Sequence, residues 1–128
     1  MASGDRKRLG PKTRQMLTRE AAAGRVYVTS ASAFEIAALH AAGRLAFNRP
    51  IEGWIFESID TAGLRVLDLG VHAAIDAGAI PADALPDPLD RLLVALAREA
   101  QVPLATRDRA ILDYARRTRL VKIVDASA

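Results

Sequence analysis

At 128 residues and about 13.7 kDa, the chain has room for one domain built around a single core. Its residues are 51% apolar and 26% charged with a net charge of +3, a globular balance that excludes disordered, collagen-like and fibrous classes. The absence of cysteine excludes a disulfide scaffold, a thiolate zinc site and a cysteine nucleophile.

In chain order the pattern alternates helix and strand. Leu9 to Ala23 reads as a helix, with Pro11 in its first turn and Gly24 ending it. Arg25 to Thr29 (RVYVT) is a short β-branched strand. Ser32 to Ala42 is helical, with Phe34, Ile36, Ala37 and Leu39 as its apolar residues. Ile51 to Ala62 is another helix, with Ile51, Trp54, Ile55 and Ile59 at helical spacing. Leu64 to Leu69 (LRVLDL) is a second strand, and Val71 to Ala77 a short alanine-rich helix. Ile80 to Pro88 carries three prolines and reads as a loop. The helix opened by Asp87, Pro88, Leu89 and Asp90 then places Leu89, Leu92, Leu93, Leu96, Ala97 and Ala100 on one broad core-facing stripe. Two strands, Val102 to Thr106 (VPLAT) and Leu120 to Val124 (LVKIV), flank a helix from Arg109 to Arg117. The alternation predicts an α/β domain with a mainly parallel sheet.

The longest apolar run, Leu92 to Ala97, is six residues, where a membrane span needs about twenty. Met1 to Lys12 is polar and basic, so neither a signal peptide nor membrane association is expected, and the expected location is the cytoplasm. With only six aromatic residues, a stacking platform for single-stranded bases is disfavoured. Charge is laid out unevenly: residues 1–49 carry nine basic and three acidic groups, residues 50–100 three and nine, and residues 101–128 six and three. Most such layouts are solvated surface. Basic ends around an acidic middle also suit a polyanion held near carboxylates that bind a cation.

Ligands of open α/β sheets bind outside the carboxyl ends of the strands. Four acids are expected there: Glu35 after RVYVT, Asp87 and Asp90 at the start of the leucine-rich helix, and Asp108 after VPLAT. Each has a structural alternative. Ser32-x-x-Glu35 matches a capping box. Asp87 before Pro88 suits an N-cap, Asp90 suits the helix dipole, and Asp108 suits a cap on the helix from Arg109. Together, such carboxylates repel one another unless a cation lies between them, and a hard divalent ion with oxygen ligands fits best. Neither His40 nor His72 has a partner at ligand spacing. No phosphate-binding glycine loop or nucleophile elbow occurs.

The runs VYVTSASAFEIAAL, GRL, GLRVLDL, DPLDRLLVALAREAQVPLATRD and VKIVDA resemble the PIN-domain ribonucleases, in particular the VapC-type toxins of bacterial type II toxin–antitoxin pairs. The resemblance spans essentially the whole chain. It implies a three-layer α/β/α domain with a parallel sheet. It also implies an endoribonuclease dependent on Mg²⁺ or Mn²⁺, acting on tRNA, rRNA or mRNA and silenced by a cognate VapB-type antitoxin, commonly as a homodimer. Glu35, Asp90 and Asp108 match the family's catalytic, metal-binding acids, Asp87 a further metal-site acid, and Thr106 and Arg91 the positions flanking them. Arg107 and Arg109 are the arginines expected to hold the RNA backbone.

The family also opens with a hydrophobic strand ending in a catalytic aspartate, and it places that strand at the centre of the sheet. Here the opening MASGDRKRLGPKTRQML aligns with the family's loop and helix beyond that strand, and Asp5 matches a loop aspartate rather than the catalytic one. The expectation is therefore a domain lacking its first, central strand. A misassigned start or truncation is the preferred account, ahead of a strand from another chain or closure of the two halves into an inactive domain. The alternative function is an impaired module that binds antitoxin or RNA without cutting.

Overall fold

The computed structural model describes residues 9–44 and 49–128. Its elements run α1 (Pro11–Ala22), β1 (Tyr27–Thr29), α2 (Ser30–Ala41), α3 (Ile51–Thr61), β2 (Arg65–Leu67), α4 (Val71–Ala79), α5 (Pro88–Ala100), β3 (Leu104–Thr106), α6 (Arg109–Thr118) and β4 (Ile123–Asp125). The described residues divide into two compact units, one within residues 15–68 and the other of residues 69–128 with residues 9–14.

The two units share one plan. In each, two three-residue strands pair in parallel: Tyr27, Val28 and Thr29 against Arg65, Val66 and Leu67, and Leu104, Ala105 and Thr106 against Ile123, Val124 and Asp125. This is an α/β fold of short parallel sheets, as the alternation predicts. Among the described residues the strands form two separate two-stranded sheets.

Each strand is shorter than its β-branched run. Pro103 has no N–H to donate, so the third strand starts only at Leu104. Leu120 directly follows Arg119, the left-handed C-cap of α6, so the fourth starts at Ile123 and extends through Asp125. Across the first pair, the Arg65 guanidinium lies 5.4 Å from the centroid of its partner Tyr27's ring, a cation–π contact.

The core of the unit holding α4 to β4 is formed by Ile80, Leu85, Val94, Ala97, Ile111, Tyr114, Ala115 and Val121. Helix α5 buries Leu93, Val94, Ala95, Leu96 and Ala97, a face shifted from the expected stripe, with Leu89, Leu92 and Ala100 only half-buried. Burial on this scale contributes about 1.5–3 kcal/mol per large aliphatic side chain. Helix α4 buries Ala73 and Ala77, small enough to let the helix lie close against its neighbours. The proline-rich loop also enters the core, since Leu85 is fully buried and Ile80 nearly so.

The start of α1 docks on the end of β4. The Gly10 amide donates to the Ala126 carbonyl at 3.0 Å and the Lys12 amide to the Ala128 carbonyl at 3.1 Å. A Cβ on residue 10 would lie 1.9 Å from the Ala128 carbonyl carbon, so only glycine fits. Thr13, on the first turn, is buried.

In the unit of residues 15–68, two expectations are corrected. Phe34, assigned to the apolar face of α2, is 61% exposed. The Ser32–Glu35 capping box does not form, because the helix starts two residues earlier. Thr29 is its N-cap, and the Thr29 hydroxyl oxygen accepts from the Ser32 amide at 3.0 Å. Glu35 is thereby left on the second turn.

Candidate functional site

The start of α5 gathers three of the predicted residues. Asp87 is the N-cap, its carboxylate accepting from the Leu89 amide at 2.9 Å, with Pro88 as the first helical residue. Asp90 lies in the first turn, half-buried, where negative charge complements the amide end of the helix. Arg91 comes next, also half-buried, and its Nε is sealed from solvent without a hydrogen-bond partner.

The end of β3 gathers the other four in this unit. Thr106 is buried at 2% exposure, and its hydroxyl oxygen accepts from the Asp108 amide at 3.0 Å. That bond turns the chain out of the strand and sets Asp108 as the N-cap of α6, accepting from the Ala110 and Ile111 amides at 2.8 and 3.4 Å. Between them Arg107 is half-buried, its Nε likewise sealed and unpartnered, and Arg109 opens the helix. Residues 101–103 join α5 to β3 and the two pack together, so the first turn of α5 and the carboxyl end of β3 are the ends that point away from this connection, on the acidic edge of the unit.

Asp125 joins that edge, directly opposite Thr106 in the β3–β4 register. Its Oδ1 accepts from the Ser127 hydroxyl at 2.5 Å and the Ser127 amide at 3.0 Å, and its Oδ2 lies 3.5 Å from the Arg116 guanidinium. The bonds from Ser127 hold its carboxyl below the usual aspartate range against the opposing effect of burial, with lesser help from the charges of Arg109 and Arg116. Sequence reasoning left Asp125 unassigned. The available signal was the one that found Asp108, an acid at the end of a short β-branched strand.

Glu35 belongs to the other unit, half-buried on α2. In that unit Asp68 stands just beyond the carboxyl end of β2, a second acid read only as part of the strand LRVLDL. Asp5 and the Leu45 of GRL lie outside the described residues.

The acids do not close into a metal-binding group. Among the described residues no three His, Cys, Asp or Glu side chains are grouped to hold an ion. Two of the predicted ligands, Asp87 and Asp108, spend a carboxylate oxygen on capping amides instead. The residues as placed therefore do not fit a three-carboxylate divalent site. Among the described residues, no helix is long and apolar enough to cross a membrane.

The family model described as PIN domain matches residues 10–117. No curated protein and no solved structure matches the sequence.

Proposed function

The chain belongs to the PIN domain family, and on that premise we propose that it is an endoribonuclease of the VapC toxin type. PIN domains are in general nucleases and in general use divalent metal ions. The observation that carries the reading is the family match over residues 10–117 together with the edge on which Asp87, Asp90, Asp108, Arg107 and Arg109 stand. In the proposal, the substrate is RNA, and hydrolysis leaves a 5′-phosphate and a 3′-hydroxyl. Arg107 and Arg109 hold backbone phosphates through their guanidinium charge. Thr106 acts through Asp108, whose backbone it fixes, and Arg91 stands beside Asp90. Of the acids that the resemblance gives to a Mg²⁺ or Mn²⁺ ion, Asp87, Asp90 and Asp108 stand in one unit and Glu35 in the other. Because the described acids are not grouped for such an ion, no step of the reaction is drawn through it. A cognate VapB-type antitoxin silences the chain, and the working form is a homodimer.

A second reading is favoured by that same lack of a grouped site: a PIN-like module that binds RNA or an antitoxin without cutting. One assay separates the two. Purified chain is incubated with total RNA and Mn²⁺ beside Asp90→Ala. The nuclease reading expects cleavage by the wild type and a loss of at least about 100-fold in the variant, since even outer partners of metal ligands are worth 10–100-fold. Equal behaviour of the two proteins removes the nuclease reading. Titration calorimetry with Mn²⁺ then tests the second, which expects no metal binding.

A further inference from the structure

A pocket of about 350 Å³ opens at the opposite ends of α5 and α6 from the acidic edge. It lies one helix length, about 20 Å, from Asp87 along α5. Val102, Leu120 and Val121 supply its apolar surface, and Arg98, Gln101 and Lys122 its polar groups; no carboxylate lines it. Leu120 is a large aliphatic side chain left 48% exposed at its mouth.

The helix ends that frame this pocket are unusual within the chain itself. Five described residues adopt left-handed backbone angles. Three are glycines that follow α1, α2 and α3: Gly24, Gly43 and Gly63. The other two are Gln101 and Arg119, the C-caps of α5 and α6, with φ of 57° and 56°. Glycine is the residue that takes this conformation without steric cost. At the two helix ends bordering the pocket, the chain carries long hydrogen-bonding side chains instead.

We propose that this pocket binds an acidic polypeptide segment. An aliphatic side chain of the segment seats against Val102, Leu120 and Val121, and a flanking carboxylate pairs with Arg98 or Lys122. Gln101 supplies both a donor and an acceptor for the segment's backbone. Charge complementarity selects the acid, because the polar lining carries two cations and no anion. The apolar wall selects a polypeptide over RNA, since the lining has no aromatic ring on which a base could stack. The proposal is independent of the nuclease reading.

The test titrates the isotopically labelled full chain with a peptide alternating glutamate and leucine, followed by amide chemical shifts and fluorescence anisotropy. Shifts confined to residues 97–102 and 119–123 are expected. The double variant Arg98→Glu, Lys122→Glu should weaken binding at least tenfold. Both positions are exposed, and circular dichroism checks that the variant folds. Gln101→Gly gives the separating measurement: it should raise the thermal midpoint by relieving the left-handed residue and still weaken the peptide. Four results overturn the proposal: no binding, shifts elsewhere, equal binding of a glutamine–leucine peptide, or displacement by an RNA oligonucleotide. An unchanged affinity in Gln101→Gly removes Gln101 from the site.

Discussion

The two units follow one plan, a parallel pair of three-residue strands flanked by helices, yet they are filled very differently. In the unit of β3 and β4, helices α5 and α6 bury nine residues between them, and the loop residue Leu85 is completely enclosed. In the unit of β1 and β2, Ala31 is the sole buried hydrophobic among the described residues, while Phe34 and Phe56 are 61% and 64% exposed. Matching topology therefore does not confer matching packing. A parallel pair contributes few hydrogen bonds by itself, and its stability comes from the helical faces laid against it. The better-packed unit is also the one that carries Asp87, Asp90, Asp108 and both half-buried arginines, so most of the candidate site stands on the firmer scaffold. Glu35 stands on the other.

The sharpest way to break the comparison is to empty each unit in turn. Leu85→Ala should destabilise by about 2–5 kcal/mol, the cost of a cavity at a closed position. Ile55→Ala, at a half-buried position on α3, should cost clearly less. Urea titrations compare the two, and a cost for Ile55→Ala equal to that for Leu85→Ala would refute the contrast. The next effect separates structure from chemistry at the site. Asp108→Ala removes two capping bonds and should cost about 0.5–2 kcal/mol whatever the chain's activity. Glu35→Gln removes no cap and should leave stability within about 0.5 kcal/mol while, on the nuclease reading, abolishing cleavage. Paired melts and RNA assays read both.

The smallest effect concerns pH. Among the described residues each unit holds one carboxyl below its ordinary range, Glu57 through its hydrogen bond and charge interaction with Arg49, and Asp125 chiefly through Ser127. A carboxyl lowered in the folded state contributes stability that is present above its unfolded pKa, about 4, and lost as pH falls through the folded value. Acid titrations of Asp125→Asn should therefore show a shallower loss of stability below about pH 4 than the wild type. An unaltered acid limb would show that Ser127 and the arginines do not favour the ionised form.

Much of this was legible in the residues. Asp87 before Pro88, and Asp108 after VPLAT, announce their caps, because an N-cap is a local bond between a side chain and amides two or three residues away. The alternation of β-branched runs with helical periods foretold the parallel α/β character. Less local features are not legible there. The Ser32–Glu35 box loses to Thr29, since the Thr29 hydroxyl takes the Ser32 amide that the Glu35 carboxylate would have to reach, and the strand's end settles which. Leu85 and Ile80 were hidden in a loop because three prolines mark a turn without saying which of its side chains face inward.

What the sequence determined alone is the class of the fold, the order of its elements and the acids and arginines that stand at strand and helix ends, all set by neighbours along the chain. Only the tertiary structure decided which of those acids share an edge. It placed Asp125 opposite Thr106 and enclosed Leu85. It also left the described carboxylates short of a three-ligand group. Register and burial depend on residues far apart in the chain, and no spacing rule reaches across that distance.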